Sequence, residues 1–527
     1  MNALLVLYAG EPSARVLEPV IAGKTGPDLA LERSLSFPGV RKTLVLGGPG
    51  SAGGDLAGRL GTAGIVLERE EPWTVRAILE AVGGHSAGFD FTYLAWADCP
   101  FPDPALAGRL AERHLGFRAD YTYADLWPTG LAPELLAPET PAALLRLLDS
   151  DGNRDGGRPR RDSLFALIRR DVNAFDIETE LSSIDMTAHR IGLHADSRRN
   201  VALLRNLAES AGGIPDAERV VGLVTERPEL LRTLPAFYPI QVYGGCPQSC
   251  RLCPYPLASA LPVTQRTDFM ELRDFRTLLD AIADFSGDAV IGLSLWGEIS
   301  LHPQKIDLIR AVLDRPALSL VVETSGIGWK DGELREIAEL VGDAGPRTGG
   351  KPPVSWIVSL DSADRAGYER LRGPGFAEAN DRAEKLLALF PGNAYVQMLK
   401  IHGGEEDAER FFRFWENKGA PEANIIIQKY DDFCGYLERL QAGDLSPLRR
   451  LPCRHIMRDM PILIDGTVPL CRERIGAETQ DAAVLGNAFG ESLAAIWERG
   501  TAHYLRQAEG RSEAFCERCD EFYTYNF

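Results

Sequence analysis

The stretch Gly244-Gly245-Cys246-Pro247-Gln248-Ser249-Cys250-Arg251-Leu252-Cys253-Pro254-Tyr255 decides the reading of this 527-residue chain. Its three cysteines are spaced C-x3-C-x2-C on a glycine-led loop behind the apolar run 237–243. Each iron of an iron-sulfur cube wants a cysteine thiolate, so three thiolates can hold three irons and leave the fourth open to a small molecule. Zinc is the competing occupant. Its sites usually take four ligands, often in C-x2-4-C pairs, and the nearest histidine, His302, lies well downstream.

Working outward, short apolar runs at 289–295, 318–323, 354–360, 394–400 and 424–429 join 237–243 as six expected strands. Between them lie amphipathic stretches such as 270–285, 304–315, 376–390 and 406–418, with apolar residues at three- and four-residue spacing. Strand-helix alternation implies a parallel sheet and an α/β fold.

On these residues the segment resembles the radical S-adenosylmethionine (radical SAM) superfamily. The resemblance implies a partial (β/α)6 barrel with its chemistry at the C-terminal strand ends. It also implies a [4Fe-4S] cluster on Cys246, Cys250 and Cys253, SAM chelated by the open iron, and reductive cleavage to a 5'-deoxyadenosyl radical that abstracts hydrogen. After the second strand, Trp296-Gly297-Glu298 resembles the family's Gly-Gly-Glu motif, so Gly297 and Glu298 are expected to hold the SAM amino group. After the third, Glu323-Thr324-Ser325-Gly326 is similar to a Thr-Asn-Gly type turn. After the fourth, Ser359-Leu360-Asp361 is similar to the Ser-x-Asp element, followed by Tyr368-Glu369-Arg370-Leu371-Arg372-Gly373. Ser325 and Ser359 are candidates for the SAM ribose or carboxylate, and equally for capping the helices that follow. Leu252 stands where the family places an aromatic residue near the adenine, and Tyr255 is the candidate substitute.

A second thiol set follows. Cys453 and Cys471 are spaced C-x12-G-x4-C through Gly466, and Cys516 and Cys519 form a terminal C-x2-C pair. Four thiolates suffice for one closed [4Fe-4S] cluster, or for a zinc ribbon. With the stretch 485–497 and Tyr523 behind Cys519-Asp520, the pattern resembles the SPASM/twitch extension of radical SAM enzymes. That resemblance implies one auxiliary [4Fe-4S] cluster on Cys453, Cys471, Cys516 and Cys519, accepting or relaying an electron or serving structure. Arg472 stands where sulfatase-maturing relatives carry an aspartate base, and Cys99 and Cys434 fall outside both thiol sets.

The first two hundred residues alternate again, with strands expected near 3–8, 43–46, 64–67 and 91–95, which reads as a Rossmann-like domain. Ala97-Asp98-Cys99-Pro100-Phe101 resembles the Gly-Asp-Cys-Pro-Leu element of sugar-activating nucleotidyltransferases, and Asp196 sits where that family places a second carboxylate. The resemblance implies a possible Mg2+ between them, completed by substrate phosphates. Against activity, Glu11 and Pro12 occupy the loop 9–15 where backbone amides should cradle phosphate. The domain therefore reads as nucleotidyltransferase-like in fold and as a substrate-binding or scaffold module in role. Residues 149–161, glycine-rich and mixed in charge, read as a flexible insert.

A formal net charge of -18, from 57 basic against 75 acidic residues, argues against nucleic acid or anionic membrane surfaces as partners. No run approaches the ~20 apolar residues of a membrane helix. The N-terminus lacks a basic n-region and reads as a first strand, and without an export signal spaced thiols favour metal over disulfides. A cytoplasmic protein is expected. The domains read as 1–215 nucleotidyltransferase-like, 235–440 radical SAM barrel and 445–527 SPASM/twitch, an order that resembles the spiro-SPASM proteins. The resemblance implies oxidation or modification of a peptide or protein, with flavodoxin or ferredoxin as electron donor. A nucleotide-linked or envelope sugar is the alternative substrate, and a non-catalytic metal-stabilised binding protein the alternative class.

Overall fold

The computed structural model describes the chain except residues 11–17, 49–55, 57–63, 151–155, 258–261, 294, 346, 474–483 and 525–527. Most of the phosphate-loop reading at 9–15 and part of the insert therefore lie outside the described residues. The chain forms two compact units, Met1–Leu231 and Arg232–Phe527.

In the first unit seven strands, β1 (Ala3–Gly10), β2 (Val40–Gly47), β3 (Gly64–Glu68), β4 (Phe91–Trp96), β5 (Tyr121–Asp125), β6 (Glu134–Leu136) and β7 (Ile177–Leu181), form one sheet. Their order is β3-β2-β1-β4-β6-β5-β7. Neighbours run parallel, except that β6 is antiparallel to β4 and β5. β1 is apolar throughout because helices cover both faces: Leu4 and Val6 enter one core, and Ala3, Leu5 and Leu7 the other. The chain leaves β1 toward β2 and later returns on its other side as β4, so the strand order reverses between β1 and β4.

In the second unit β8 (Phe237–Pro239), β9 (Ala289–Gly292), β10 (Leu318–Thr324), β11 (Val354–Ser359), β12 (Ala394–Lys400) and β13 (Ile425–Lys429) lie side by side in chain order, all parallel. This is the expected (β/α)6 arrangement. The first two strands stop short of the apolar runs 237–243 and 289–295, because the chain there turns out of the sheet into loops. At the second turn Trp296 has φ +45° and Gly297 φ +99°. Helices Asp331–Asp343 and Arg365–Arg372 had no place in the sequence reading.

The C-terminal segment supplies the short helix Arg454–Arg458, an antiparallel pair at Thr467–Pro469 and Val484–Asn487, and the helix Leu493–Ala508. Gly466, in the turn that leads into Thr467, has φ +84°, and a Cβ there would strike the Phe489 ring at 2.6 Å, which accounts for the glycine of the G-x4-C element. The segment also covers the free edge of β8: Met460 N donates to Phe237 O at 3.0 Å and Ile462 N to Pro239 O at 2.9 Å. Ile456, Ile462 and Trp497 share one core with Tyr238, Ile240 and Leu279 of the barrel. Among the described residues no helix is long and apolar enough to cross a membrane.

Candidate active site

Two glycines let the cysteine loop and the Glu298 turn lie against each other. A Cβ at Gly297 would stand 1.9 Å from Tyr243 O, and one at Gly245 2.3 Å from Arg266 O. In that space Glu298 N donates to Gly245 O at 2.8 Å. Cys246, Cys250 and Cys253 converge on a cavity at the C-terminal end of the sheet. The loop is braced from the far side. Gln248 Nε2 donates to Tyr368 OH at 2.8 Å, Cys250 Sγ lies 3.9 Å from Arg372 O, and Arg372 forms a buried ion pair with Asp361. Asp361 in turn accepts from Leu399 N at 2.8 Å.

Glu298 is buried, and its carboxylate gathers four donors: Ser300 N at 3.3 Å, Thr324 Oγ1 at 2.6 Å, and both the amide and the hydroxyl of Ser325 at 2.7 Å. Ser325 and Glu298 thus act as one group on the cavity wall. Ser359 does not join them. Its hydroxyl donates to Glu323 Oε1 at 3.2 Å, and Gln397 Nε2 reaches the same oxygen at 3.3 Å. Gly297, Glu298, Ser325 and Ser359 all line the cavity.

Aromatic rings form another wall. Tyr255 stacks on Trp296 at 5.9 Å and 19°, with Phe433 5.6 Å beyond Trp296. Leu252 is buried against Leu371 and Tyr430. The aromatic surface expected near Leu252 is therefore supplied by Tyr255, with Trp296, the residue in place of the family's first glycine, behind it.

The second thiol set is arranged to accept hydrogen bonds at sulfur. Glu473 N donates to Cys471 Sγ at 3.5 Å, Glu521 N to Cys519 Sγ at 3.3 Å, and Gln507 Nε2 to Cys516 Sγ at 3.5 Å. Gln507 Oε1 also accepts from Cys453 N at 2.8 Å, tying the two ends of the motif together. Cys453 is buried and electrostatically coupled to Cys516 and Cys519, and Cys471 to Cys453 and Cys519. Arg472 forms a buried ion pair with Glu473 and lines the cavity, as does Asp431.

Burial pushes the thiols of Cys246, Cys250, Cys253, Cys453, Cys471 and Cys516 upward, Cys253 and Cys516 to about 12. As free groups they would hold their protons, whereas a coordinating metal deprotonates a thiol outright. An all-sulfur donor set, three thiols facing an open cavity and four in a closed pocket with N-H donors aimed at sulfur, fits one cube with an open iron and one without.

Glu323, Gln397, Arg372 and Asp431 also line the cavity. Glu323 and Arg372 were quoted only within motifs, and Gln397 and Asp431 were not singled out. Cys434, set apart by its spacing, is close enough to Cys519 and Cys471 for their charges to act on it. In the first unit Ala195 N donates to Asp98 O at 2.7 Å, so Asp98 and Asp196 are neighbours as expected. The cation between them is a side chain: Arg161 is bound to Asp98 and interacts with Asp196. The reading of 149–161 as a flexible insert is corrected at its ends, since 149–150 close the helix Thr140–Ser150 and Arg161 belongs to this cluster.

Residues 240–414 match the family model described as the radical SAM superfamily, and residues 453–520 match SPASM, an iron-sulfur cluster-binding domain. A Treponema pallidum (strain Nichols) relative, described as an uncharacterized protein, is 33% identical over 373 residues, 69% of this chain and 98% of the relative. Among solved structures, Streptococcus suis SuiB bound to precursor peptide SuiA aligns over 58% of this chain and 74% of its own, at 16% identity and a TM-score of 0.40. A cytidylyltransferase from Leptospira borgpetersenii serovar Hardjo-bovis aligns over 44% of this chain and 95% of its own, at 13% identity and a TM-score of 0.35.

Proposed function

Because the chain belongs to the radical SAM superfamily and carries a SPASM iron-sulfur domain, we propose that it oxidises or otherwise modifies a peptide or protein substrate held in the cavity between Cys246, Cys250, Cys253 and Arg472. It is an iron-sulfur enzyme with a SAM-binding [4Fe-4S] cluster and an auxiliary cluster. Bound at the two thiol sets, these groups and SAM supply a 5'-deoxyadenosyl radical that takes a hydrogen atom, and an acceptor for the electron left behind.

The observation that carries this reading is the continuity of the cavity. Cys246, Cys250, Cys253 and Glu298 line one part of it, and Lys429, Asp431 and Arg472 another, with Arg472 next to Cys471. A substrate in that space lies between the two thiol sets.

The roles of the chain's own residues follow from their contacts. Cys246, Cys250 and Cys253 would hold three irons, and Cys453, Cys471, Cys516 and Cys519 four. Glu298, fixed by Thr324 and Ser325, presents a carboxylate to the SAM ammonium with Gly297 beside it. Glu323, held by Ser359 and Gln397, offers a second acceptor oriented for sugar hydroxyls. Tyr255 and Trp296 give the adenine a flat apolar surface and keep water from that side. We place Ser359 as an orienting residue for Glu323.

A peptide substrate follows from the SPASM extension, whose resemblance implies peptide and protein targets. The reversal of strand order between β1 and β4, where open α/β sheets take their ligands, favours a second reading, a nucleotide-linked sugar. All nine cysteines are free of disulfides, in keeping with a reducing cytoplasm and a flavodoxin or ferredoxin as donor.

The test is anaerobic reconstitution with iron and sulfide, dithionite reduction, and assay of SAM cleavage to 5'-deoxyadenosine. The control replaces Cys246, Cys250 and Cys253 by alanine. About eight irons per chain with cleavage lost in the control supports the reading. Bound zinc and no cleavage overturns it. Stabilisation of the chain by nucleotide sugars would move the second substrate reading ahead of the first.

A further inference from the structure

Trp329 is 1% exposed and lies behind the cavity wall, in the loop between β10 and the helix Asp331–Asp343. Its indole Nε1 donates to Thr324 Oγ1 at 3.1 Å, and the Gly326 amide donates to the same oxygen at 3.1 Å. A hydroxyl has two lone pairs and one proton. With both lone pairs taken by N-H donors, the Thr324 proton has one direction left, and Glu298 Oε1 accepts it at 2.6 Å. Thr324 and Glu298 both line the cavity. The side chain that sets the direction of their bond is the one that stands behind them.

Trp329 is itself fixed from three sides. Its ring meets that of Trp356, on β11, edge to face at 5.2 Å and 82°. Its carbonyl accepts from Arg382 Nε at 2.7 Å, and Arg382 pairs with Asp331 and Asp381. Lys305, paired with Glu333 at 2.9 Å, stands 5.8 Å from the ring centre. The helical layer therefore aims the indole N-H at Thr324. An N-H donated to a hydroxyl also polarises the bond that the hydroxyl makes onward, so the bond to Glu298 gains in strength as well as direction. We propose that Trp329 is a positioning residue for SAM, acting through the Thr324 hydroxyl on the Glu298 carboxylate, a proposal that rests on the SAM reading of the cavity.

The experiment is a double-mutant cycle on SAM affinity. The full chain is reconstituted anaerobically and left unreduced, so that SAM stays intact, and the dissociation constant is taken by equilibrium dialysis. Thr324→Val should weaken SAM binding about tenfold and Trp329→Phe about threefold, as for loss of a hydrogen bond to a charged group and of a neutral one. In the Thr324→Val background, Trp329→Phe should change the constant no further. Thr324→Ser keeps the hydroxyl, and in that background the Trp329→Phe loss should return. Trp329→Met, which also lacks the N-H, should behave as Trp329→Phe does and serves if that variant fails to fold. Wild-type affinity in Trp329→Phe overturns the proposal. So does a Trp329→Phe loss undiminished beside Thr324→Val, which would show that the indole acts through core packing. Wild type that carries iron and binds no SAM overturns the reading of the cavity, and this proposal with it.

Discussion

Ser325 gives Glu298 two hydrogen bonds, one from its amide and one from its hydroxyl, both at 2.7 Å. The same hydroxyl accepts from Ile327 N at 3.3 Å, so the side chain stabilises its own turn while it fixes the carboxylate. The helix that follows takes Lys330 as its N-cap, so Ser325 caps no helix and its hydroxyl serves the turn and Glu298.

Ser325→Ala removes one of the four donors to a buried carboxylate and leaves the backbone bond in place. A hydrogen bond to a charged group contributes about 1.5–3 kcal/mol, and the remaining donors offset part of its loss. SAM affinity should fall roughly 5- to 20-fold, with cluster content unchanged. Anaerobic equilibrium binding of SAM to the reconstituted protein checks this. Unchanged affinity would show that Glu298 does not depend on Ser325 for its orientation.

What was legible in the sequence was what is local in it. The C-x3-C-x2-C and C-x2-C spacings, Gly297-Glu298 and the apolar runs of β8 to β13 each lie within a short window. What was hidden depends on register between distant strands. Ser359 meets Glu323 because β10 and β11 pair, with Val358 opposite Thr324. Gln397 joins them from β12. Arg372 sits at the end of an eight-residue, mostly polar helix with Tyr368 and Leu371 as its large buried apolar residues, too short a run to announce a helix. The aspartates 98 and 196 were paired by resemblance, while Arg161, inside a stretch that reads as loop, carries no motif.

Asp431 is held well above the usual carboxylate range, first by burial and then by the charge of Glu473, to which it is hydrogen-bonded. Glu473 is held low by Arg472 and by that bond, against the effect of burial. At neutral pH Asp431 is therefore the donor of the pair. Asp431→Asn keeps an N-H donor toward Glu473 and should leave the melting temperature within a few degrees of wild type. Asp431→Ala leaves a buried carboxylate short of one partner, at a cost of about 1–3 kcal/mol. Equal destabilisation by both substitutions would show that Asp431 is ionised there.

Burial raises Glu134 to about 7, an effect that its bond from Tyr121 only partly offsets. Its unfolded value is ~4.3. Between those two pH values the folded state holds more of the proton than the unfolded state does, so this group's contribution to stability is full below about pH 4 and declines as pH rises toward 7. The loss should be about 2 kcal/mol for this half-buried side chain. Glu134→Gln removes the titration. The difference in urea midpoint between wild type and variant should shift in the variant's favour from pH 4 to 7 and level off above it. A difference independent of pH would refute the assignment.

Arg161 meets the charge requirement of two neighbouring carboxylates without a metal. It is bound to Asp98, interacts with Asp196, and lies 5.1 Å from the centre of the Trp96 ring, while Asn200 Nδ2 holds Asp196 Oδ1 at 2.7 Å. A guanidinium placed there repels a divalent cation that would otherwise find two oxygen donors. Wild type should show no heat of binding with Mg2+ or Mn2+ at millimolar concentration in this unit. Arg161→Ala should lose about 1–3 kcal/mol of stability and recover part of it when Mn2+ is added. The unreconstituted chain, free of iron and sulfide, serves for the titration, so that no cluster contributes. Mg2+ binding to wild type that is abolished by Asp98→Asn would overturn the assignment, and would return this unit to the phosphate chemistry that its sequence resembles.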